Sequence, residues 1–175
     1  MAIDATVSGV SANSYVSDAE FLAYGAGSLA SARIAASTAD TRERALITAA
    51  RMMDRLRFDG LATIKQQARQ WPRYTVLDPD RWGYLFQKDE IPRRVKEAQC
   101  ELALALLKAG QVSPDGQLTD ASQYVKARVD VLEVEYRVGV ITSTSASGIL
   151  RRFPAVWSLI APLVGAGGGM QVARA

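Results

Sequence analysis

Apolar residues recur at helical spacing in two long segments of the chain. The first segment runs from Thr41 to about Arg57, and the second runs from Pro92 to Ala109. In both segments the apolar positions form a stripe, and charged residues lie mainly on the other faces, as in an amphipathic helix. Asp40 or Thr41 is expected to cap the first helix, and Gly110 ends the second. The pattern therefore predicts two long helices, the second with a stripe wide enough to pack on more than one side.

A capping box predicts a shorter helix near the N-terminus. Ser17 and Glu20 stand at the cap position and three residues beyond it, so each side chain can bond to the other residue's backbone amide. Val16 and Phe21 stand at the hydrophobic staple positions, and Gly25 and Gly27 end the helix. Weaker signals predict further helices over three segments: residues 28–39, 65–70 and 153–164.

The apolar period changes from helical to two in the last third of the chain. Val125, Ala127 and Val129 alternate with charged residues, and a second alternating run extends from Leu132 to Val138. The two runs have opposite parity, because the apolar position shifts by one residue at Val131–Leu132. Such a shift moves the apolar side chains to the other face, so the pattern predicts a bulge, a kink or two strands.

These elements predict a mainly α fold, a helical bundle with a small β element (a strand pair or hairpin) and extended termini. The length of 175 residues and the mass of 18.9 kDa fit one domain. We divide the chain into an N-terminal arm at 1–14, a helical domain with the β element at 15–138, a flexible linker at 139–150, a C-terminal helix at 151–164 and a glycine-rich tail at 165–175.

The composition excludes several classes of chemistry. The chain has no histidine and one cysteine, Cys100, which excludes histidine-based triads, an intrachain disulfide and CxxC metal sites. The net charge of +3 is far below that of a protein that packs nucleic acid. The chain starts without a signal-peptide pattern, and its most apolar segment, residues 153–164, is too short to span a bilayer. We therefore expect a soluble protein made in the cytoplasm, with no membrane partner and no cofactor.

Two groups of carboxylates could hold a hard metal ion. Four residues match a calcium-loop template in part, although a proline and a tryptophan interrupt the match: Asp78, Asp80, Gly83 and Asp89. Glu133 and Glu135 would lie on one face of a strand, about 7 Å apart. We interpret the first group as turn residues and the second as a water-facing strand edge. An enzyme with a carboxylate-held metal is the alternative; we expect no enzymatic activity.

Aromatic and basic residues interleave between Lys65 and Arg94. Aromatic rings beside arginines are typical of proteins that bind single-stranded DNA, because bases stack on the rings. The other interpretation is that the rings anchor a long loop to the core or to a neighbouring subunit, since such a loop must bury something to stay ordered. We favour anchoring for this group: Trp71, Tyr74, Trp82, Tyr84 and Phe86.

Several short motifs occur in an order that resembles one family of viral proteins. In chain order they are Ala12-Asn13-Ser14-Tyr15-Val16-Ser17, the helix segment Ala45 to Asp54, Trp71-Pro72-Arg73, Ile91-Pro92 before a long helix, Val134-Glu135-Tyr136, and the segment from Phe153-Pro154 to Pro162-Leu163. From about Ala12 to the C-terminus the chain resembles the head–tail connector (adaptor or head-completion) proteins of tailed bacteriophages. Some members carry a DnaT-like label, after a primosomal protein that binds single-stranded DNA.

The resemblance implies a subunit of a ring, usually a dodecamer, at the head–tail interface of a virion, after synthesis in the bacterial cytoplasm. The ring would dock under the portal protein, extend the DNA channel without sequence-specific binding, and present a surface to a tail-side completion or stopper protein. A terminal segment grips the portal in relatives, which here matches Met170, Gln171, Val172, Ala173, Arg174 and Ala175. We expect neighbouring subunits to meet at Trp71, Arg73, Tyr74, Trp82 and Tyr84. A single-stranded-DNA-binding accessory protein is the alternative.

Overall fold

The structure is a computed structural model that describes residues 2–109, 124–129, 132–137 and 146–165. The strands form two antiparallel pairs, β1 with β2 and β3 with β4. In chain order the elements are α1 (Asp18–Ala26), α2 (Ser31–Ala36), α3 (Ala39–Met53), β1 (Leu61–Ala62), β2 (Arg73–Tyr74), α4 (Arg93–Ala109), β3 (Tyr124–Val129), β4 (Leu132–Arg137), α5 (Ala146–Leu150), α6 (Pro154–Ile160) and a 3₁₀ turn (Ala161–Leu163). The predicted fold class, mainly α with a small β element, is confirmed.

The first helix, α1, begins with the capping box that the sequence predicts. The Ser17 hydroxyl accepts a hydrogen bond from the Glu20 amide at 3.2 Å, and the Glu20 carboxylate accepts one from the Ser17 amide at 2.9 Å. Val16 and Phe21 are both buried, as expected of a hydrophobic staple. These contacts fix the direction in which the chain enters the helical core.

The boundaries of α3 differ from the predicted ones. Its N-cap is Thr38, whose hydroxyl accepts a hydrogen bond from the Thr41 amide at 3.3 Å, so the predicted cap at Asp40 or Thr41 is wrong. Thr38 has the extended backbone that a cap needs, whereas Asp40 already lies in the first helical turn. The helix ends at Met53 instead of near Arg57, because the next residues form a tighter turn.

The central helix of the core is α4, which contacts α1, α3 and α6. Val95, Ala98 and Leu102 of α4 are fully buried, and so is Leu46 of α3. Removing a Leu or Val side chain from water contributes roughly 1.5–3 kcal/mol. Cys100 is also buried, and burial raises the pKa of its thiol to about 12. The wide stripe predicted for this helix therefore packs on more than one side.

A buried carboxamide joins the N-terminal residues to this core. Gln99 of α4 has no exposed surface, and its side-chain oxygen accepts a hydrogen bond from the Tyr15 amide at 3.0 Å. Its side-chain nitrogen donates to the Ser14 hydroxyl at 2.7 Å and to the Leu46 carbonyl at 2.9 Å. Ala12 and Ser14 are buried as well, so the end of the predicted N-terminal arm lies within the core.

A second polar cluster links the N-terminal residues to the turn after α3. Asp54 accepts hydrogen bonds from the Tyr15 hydroxyl and from Arg69, the latter at 2.7 Å between Nη1 and Oδ2. The Arg69 Nε donates to the Ala12 carbonyl at 3.0 Å. Burial raises the pKa of Asp54 despite these donors, and it raises the pKa of Tyr15. The cluster fixes the chain just before Trp71.

Residues 65–70 form turns and bends, not the short helix that the sequence predicts. The side-chain oxygen of Gln67 accepts a hydrogen bond from the Ile64 amide at 3.0 Å. Its side-chain nitrogen donates to the carbonyls of Arg69 at 2.8 Å and Pro72 at 3.0 Å. These side-chain bonds take the place of the backbone bonds that a helix would make.

The register of β3 and β4 explains the change of parity in the sequence. In the backbone register, apolar residues stand opposite apolar ones: Val125 and Tyr136, Ala127 and Val134, and Val129 and Leu132. At the alternate register positions, residues of opposite charge stand opposite each other: Lys126 and Glu135, and Arg128 and Glu133. Of the three predicted possibilities, two strands is the one that forms.

The C-terminal part contains one helix more than predicted. Residues 146–150 form α5, inside the segment predicted as a flexible linker at 139–150. Helix α6 begins at Pro154 as predicted but ends at Ile160, where a 3₁₀ turn containing Pro162 follows. Val164 then forms a β-bridge with Phe58. Within the described ranges, no helix is long and apolar enough to cross a membrane.

Candidate interaction surface

Trp71 anchors the long segment between β2 and α4 to the core. Its indole is 1% exposed and makes edge contacts with Phe58 at 5.7 Å and Phe86 at 5.9 Å between ring centroids. Such aromatic pairs add about 0.5–1.5 kcal/mol to the gain from burial. Phe58 follows α3, and Phe86 ends the segment 74–86, which we call the aromatic loop. One buried ring therefore holds the aromatic loop to the helical body.

Backbone contacts give the aromatic loop the form of a narrow hairpin. Residues 76–78 and 84–86 are joined by amide-to-carbonyl bonds of 3.0 and 2.8 Å, and Leu77 and Leu85 form a β-bridge between them. Gly83 has φ of +82°, a left-handed conformation that glycine adopts without strain, and it completes the turn. The loop therefore holds its tip, residues 79–83, in a defined position.

The aromatic loop presents large apolar side chains to solvent. Trp82 at the tip is 99% exposed, and Tyr84 is 68% exposed. Together with the adjoining β1 and β2, this part of the chain exposes seven large hydrophobic residues: Leu61, Ile64, Tyr74, Leu77, Trp82, Tyr84 and Leu85. Exposed apolar patches of this kind mark sites where a protein contacts a partner.

The charges around the aromatic loop balance one another. Four basic and four acidic residues occur between Leu77 and Arg94. Arg94 donates two hydrogen bonds to the Asp80 carboxylate, one of them at 2.7 Å from Nε, and these bonds lower the pKa of Asp80. The surface around Trp82 is therefore apolar and close to neutral rather than cationic.

Of the carboxylates considered as metal ligands, Asp78 and Asp80 make hydrogen bonds within the chain. Asp78 accepts a hydrogen bond from the Asp80 amide at 2.9 Å, as in a turn, and Asp80 pairs with Arg94. In the β3–β4 register Glu133 and Glu135 stand opposite Arg128 and Lys126. The described residues contain no group of three or more metal-ligating side chains.

The five residues predicted as a subunit interface fall into two groups. Trp71 and Arg73 are buried, and Arg73 donates to the carbonyls of Asp59 and Gly60 at 2.6 Å each. Burial lowers the pKa of the Arg73 guanidinium. These two side chains hold the loop and have almost no surface to offer a partner. Tyr74, Trp82 and Tyr84 are exposed on the same part of the molecule and can make such a contact.

Sequence reasoning did not single out the exposed leucines of this surface. Leu61, Leu77 and Leu85 are more than half exposed, and they extend the apolar patch beyond the three aromatic rings. Apolar residues on both sides of a loop rich in Pro, Asp and Gly were the available signal. Met170 to Ala175, predicted to grip a portal protein, lie outside the described residues.

The fold and the aromatic loop define a mainly α protein that presents an apolar contact surface. Comparison with protein-family models matches the whole chain, residues 1–175, to the family described as "Putative DnaT-like ssDNA binding protein", and the chain belongs to this family. Neither the curated proteins nor the solved structures give a significant match.

Proposed function

We propose that the chain is a non-enzymatic structural subunit of a phage head–tail connector ring. In this proposal copies of the chain, twelve by the resemblance of the sequence, form a ring beneath the portal protein in the virion. The ring extends the DNA channel, lets DNA pass without sequence-specific binding, and offers a docking surface to a tail-side completion or stopper protein. The observation that carries the proposal is the aromatic loop.

The aromatic loop suits a contact between proteins. A partner that covers Trp82, Tyr84 and the nearby leucines gains burial of aromatic rings, which are the side chains that contribute most at interface centres. The loop is held by Trp71 and its own backbone bonds, so little conformational entropy is lost when it binds. Its balanced charges also suit a protein partner better than a polyanion.

Electron microscopy of the purified chain mixed with the portal ring of the same phage tests the proposal. We expect an additional ring of density below the portal, with a copy number that can be counted. A W82A/Y84A variant should lose the ring, whereas an R33Q variant, changed at an exposed residue away from the loop, should keep it. Bare portals with excess folded protein would overturn the connector proposal.

The second candidate function is binding of single-stranded DNA, which is supported by the family description and by one feature of the loop. Exposed Trp82 and Tyr84 lie beside exposed Arg81, and bases stack on such rings at about 1–3 kcal/mol per base. This function predicts tight binding of an oligonucleotide at low salt that W82A weakens about tenfold or more. A connector subunit predicts that W82A leaves any oligonucleotide binding unchanged.

A further inference from the structure

From Ala45 onward, helix α3 exposes only one narrow stripe, because α1, α4 and α5 pack against α3. The positions of the stripe recur every three or four residues, at helical spacing. Between residues 45 and 53 all other positions are buried. The stripe and the turn that continues it contain Asp40, Arg44, Thr48, Arg51 and Arg55.

The positive charge of this stripe is compensated at one end only. Arg44 pairs with Asp40 at 2.8 Å on the exposed surface. Arg51, Arg55 and Arg57 are exposed, and no carboxylate in the described part of the chain lies within ion-pair distance of them. We call these three residues the arginine face. The arginine face therefore consists of three exposed arginines within seven residues, one in the last turn of α3 and two just after it, without an acidic partner among the described residues.

We propose that the arginine face binds the phosphate backbone of duplex DNA without reading its sequence. Arg51 lies in the last turn of α3 and Arg57 follows the turn after it, and these two backbone positions are at most about 20 Å apart. Duplex DNA carries one negative charge per about 1.7 Å of axis, so three guanidinium groups within that length meet several phosphates. Guanidinium groups also match phosphate geometry with two parallel hydrogen bonds.

The absence of aromatic residues favours duplex over single-stranded DNA as the ligand. Residues 39–57 contain no Phe, Tyr or Trp, so unpaired bases would find no ring to stack on at this face. The aromatic loop contains none of these three arginines. The proposal does not depend on the connector function, because it concerns the binding of DNA by the isolated chain.

Another explanation of the arginine face is purely structural. Basic residues near the end of a helix interact favourably with its dipole, at about 0.3–1 kcal/mol each. That role predicts a loss of stability when the arginines are replaced, and no effect on DNA binding. Measuring both quantities on the same variants separates the two explanations.

Salt dependence gives the expected signature of the contact. Each phosphate contact contributes about −0.9 to the slope of log affinity against log salt, so three contacts give about −2.7. Such binding is measurable at low salt and weak at physiological salt, which lets DNA move past the protein. Replacing the three arginines should remove most of the slope.

The experiment measures binding of the full chain to a labelled duplex of about 30 base pairs, from about 20 to 200 mM salt, by fluorescence anisotropy. The test variant is R51Q/R55Q/R57Q, since glutamine keeps helix propensity close to that of arginine. The matched control is R33Q/K88Q/K108Q, which removes the same charge from exposed, scattered positions. A single strand of equal length is titrated in parallel, and urea denaturation confirms that both variants are folded.

We expect the test variant to bind duplex DNA at least about tenfold more weakly at low salt with a flatter slope, and the control to stay within about threefold. Three results would overturn the proposal: equal weakening by both variants, no duplex binding by the unaltered chain, or tighter binding of the single strand than of the duplex. Loss of stability with unchanged binding would assign the arginines to the helix end. None of these results depends on whether a portal ring captures the chain.

Discussion

At the scale of single residues, Gln99 is the polar side chain on which the centre of the core depends. Replacing it with leucine keeps a similar volume but leaves the Tyr15 amide without its acceptor and the Leu46 carbonyl without its second donor. We expect Q99L to lower the free energy of unfolding by about 2–4 kcal/mol, measured by urea denaturation. Q87L, a change at an exposed glutamine, should stay within about 0.5 kcal/mol, and equal stability of the two variants would contradict the assignment.

The ion pair between Asp18 and Arg42 should make stability depend on pH. Arg42 donates to both carboxylate oxygens at 2.8 Å and lowers the pKa of Asp18 below the ordinary 3.8. A lowered pKa contributes stability that is present above 3.8 and is lost as pH falls through the folded-state value. We expect D18N to cost about 1–2 kcal/mol at neutral pH and nothing measurable in strong acid.

The exposed pair of Asp40 and Arg44 provides the control for this prediction. Both residues of that pair are more than half exposed, and Asp40 also lies in the first turn of a helix. D40N should therefore cost less than about 0.5 kcal/mol at any pH, because exposed pairs are screened by solvent. Urea denaturation of both variants at neutral and acidic pH makes the comparison, and a D18N effect that persists in acid would refute the ion-pair explanation.

At the scale of elements, Trp71, which anchors the aromatic loop, contributes to stability, whereas Trp82 at the tip of the loop is available for contact. Trp71 is buried against Phe58 and Phe86, so W71A should cost about 3–5 kcal/mol in unfolding free energy. Trp82 is 99% exposed, so W82A should change that free energy by less than about 0.5 kcal/mol. Denaturation of both variants checks the division, and a large cost for W82A would mean that the tip packs on another part of the chain.

The same loop illustrates which features the sequence could predict. Local sequence patterns predicted the capping box of α1, the extent of α4 and the change of strand parity, because each of these features depends on residues a few positions apart. The sequence also showed five aromatic residues among arginines, but not which of them are buried. That division depends on contacts such as Trp71 with Phe58, which helix and strand periodicity do not encode. The cap of α3 and the turns at 65–70 were missed because side chains, Thr38 and Gln67, made competing hydrogen bonds.

At the scale of the whole molecule, a net charge of +3 conceals two surfaces of different character. The arginine face concentrates cations that have no acidic partner within the described residues, whereas the aromatic loop is apolar with balanced charges. In our proposals, the aromatic loop contacts a protein partner and the arginine face contacts DNA. That combination is expected of the proposed connector subunit, which would lie between proteins and passing DNA.

In the proposed connector, we expect the C-terminal tail to be needed for attachment to the portal ring but not for folding. The last described contacts are the Asp59 amide with the Leu163 carbonyl and the Gly165 amide with the Arg57 carbonyl, each at 3.0 Å. A chain truncated after Ala166 keeps both contacts, so deletion of 167–175 should change the unfolding midpoint little. We expect the same deletion to abolish attachment to the portal ring in a co-sedimentation assay, while R33Q attaches normally. Unchanged attachment of the truncated chain would refute the predicted role of Met170 to Ala175. The portal contact would then lie in the remaining chain, where the aromatic loop is the first surface to test.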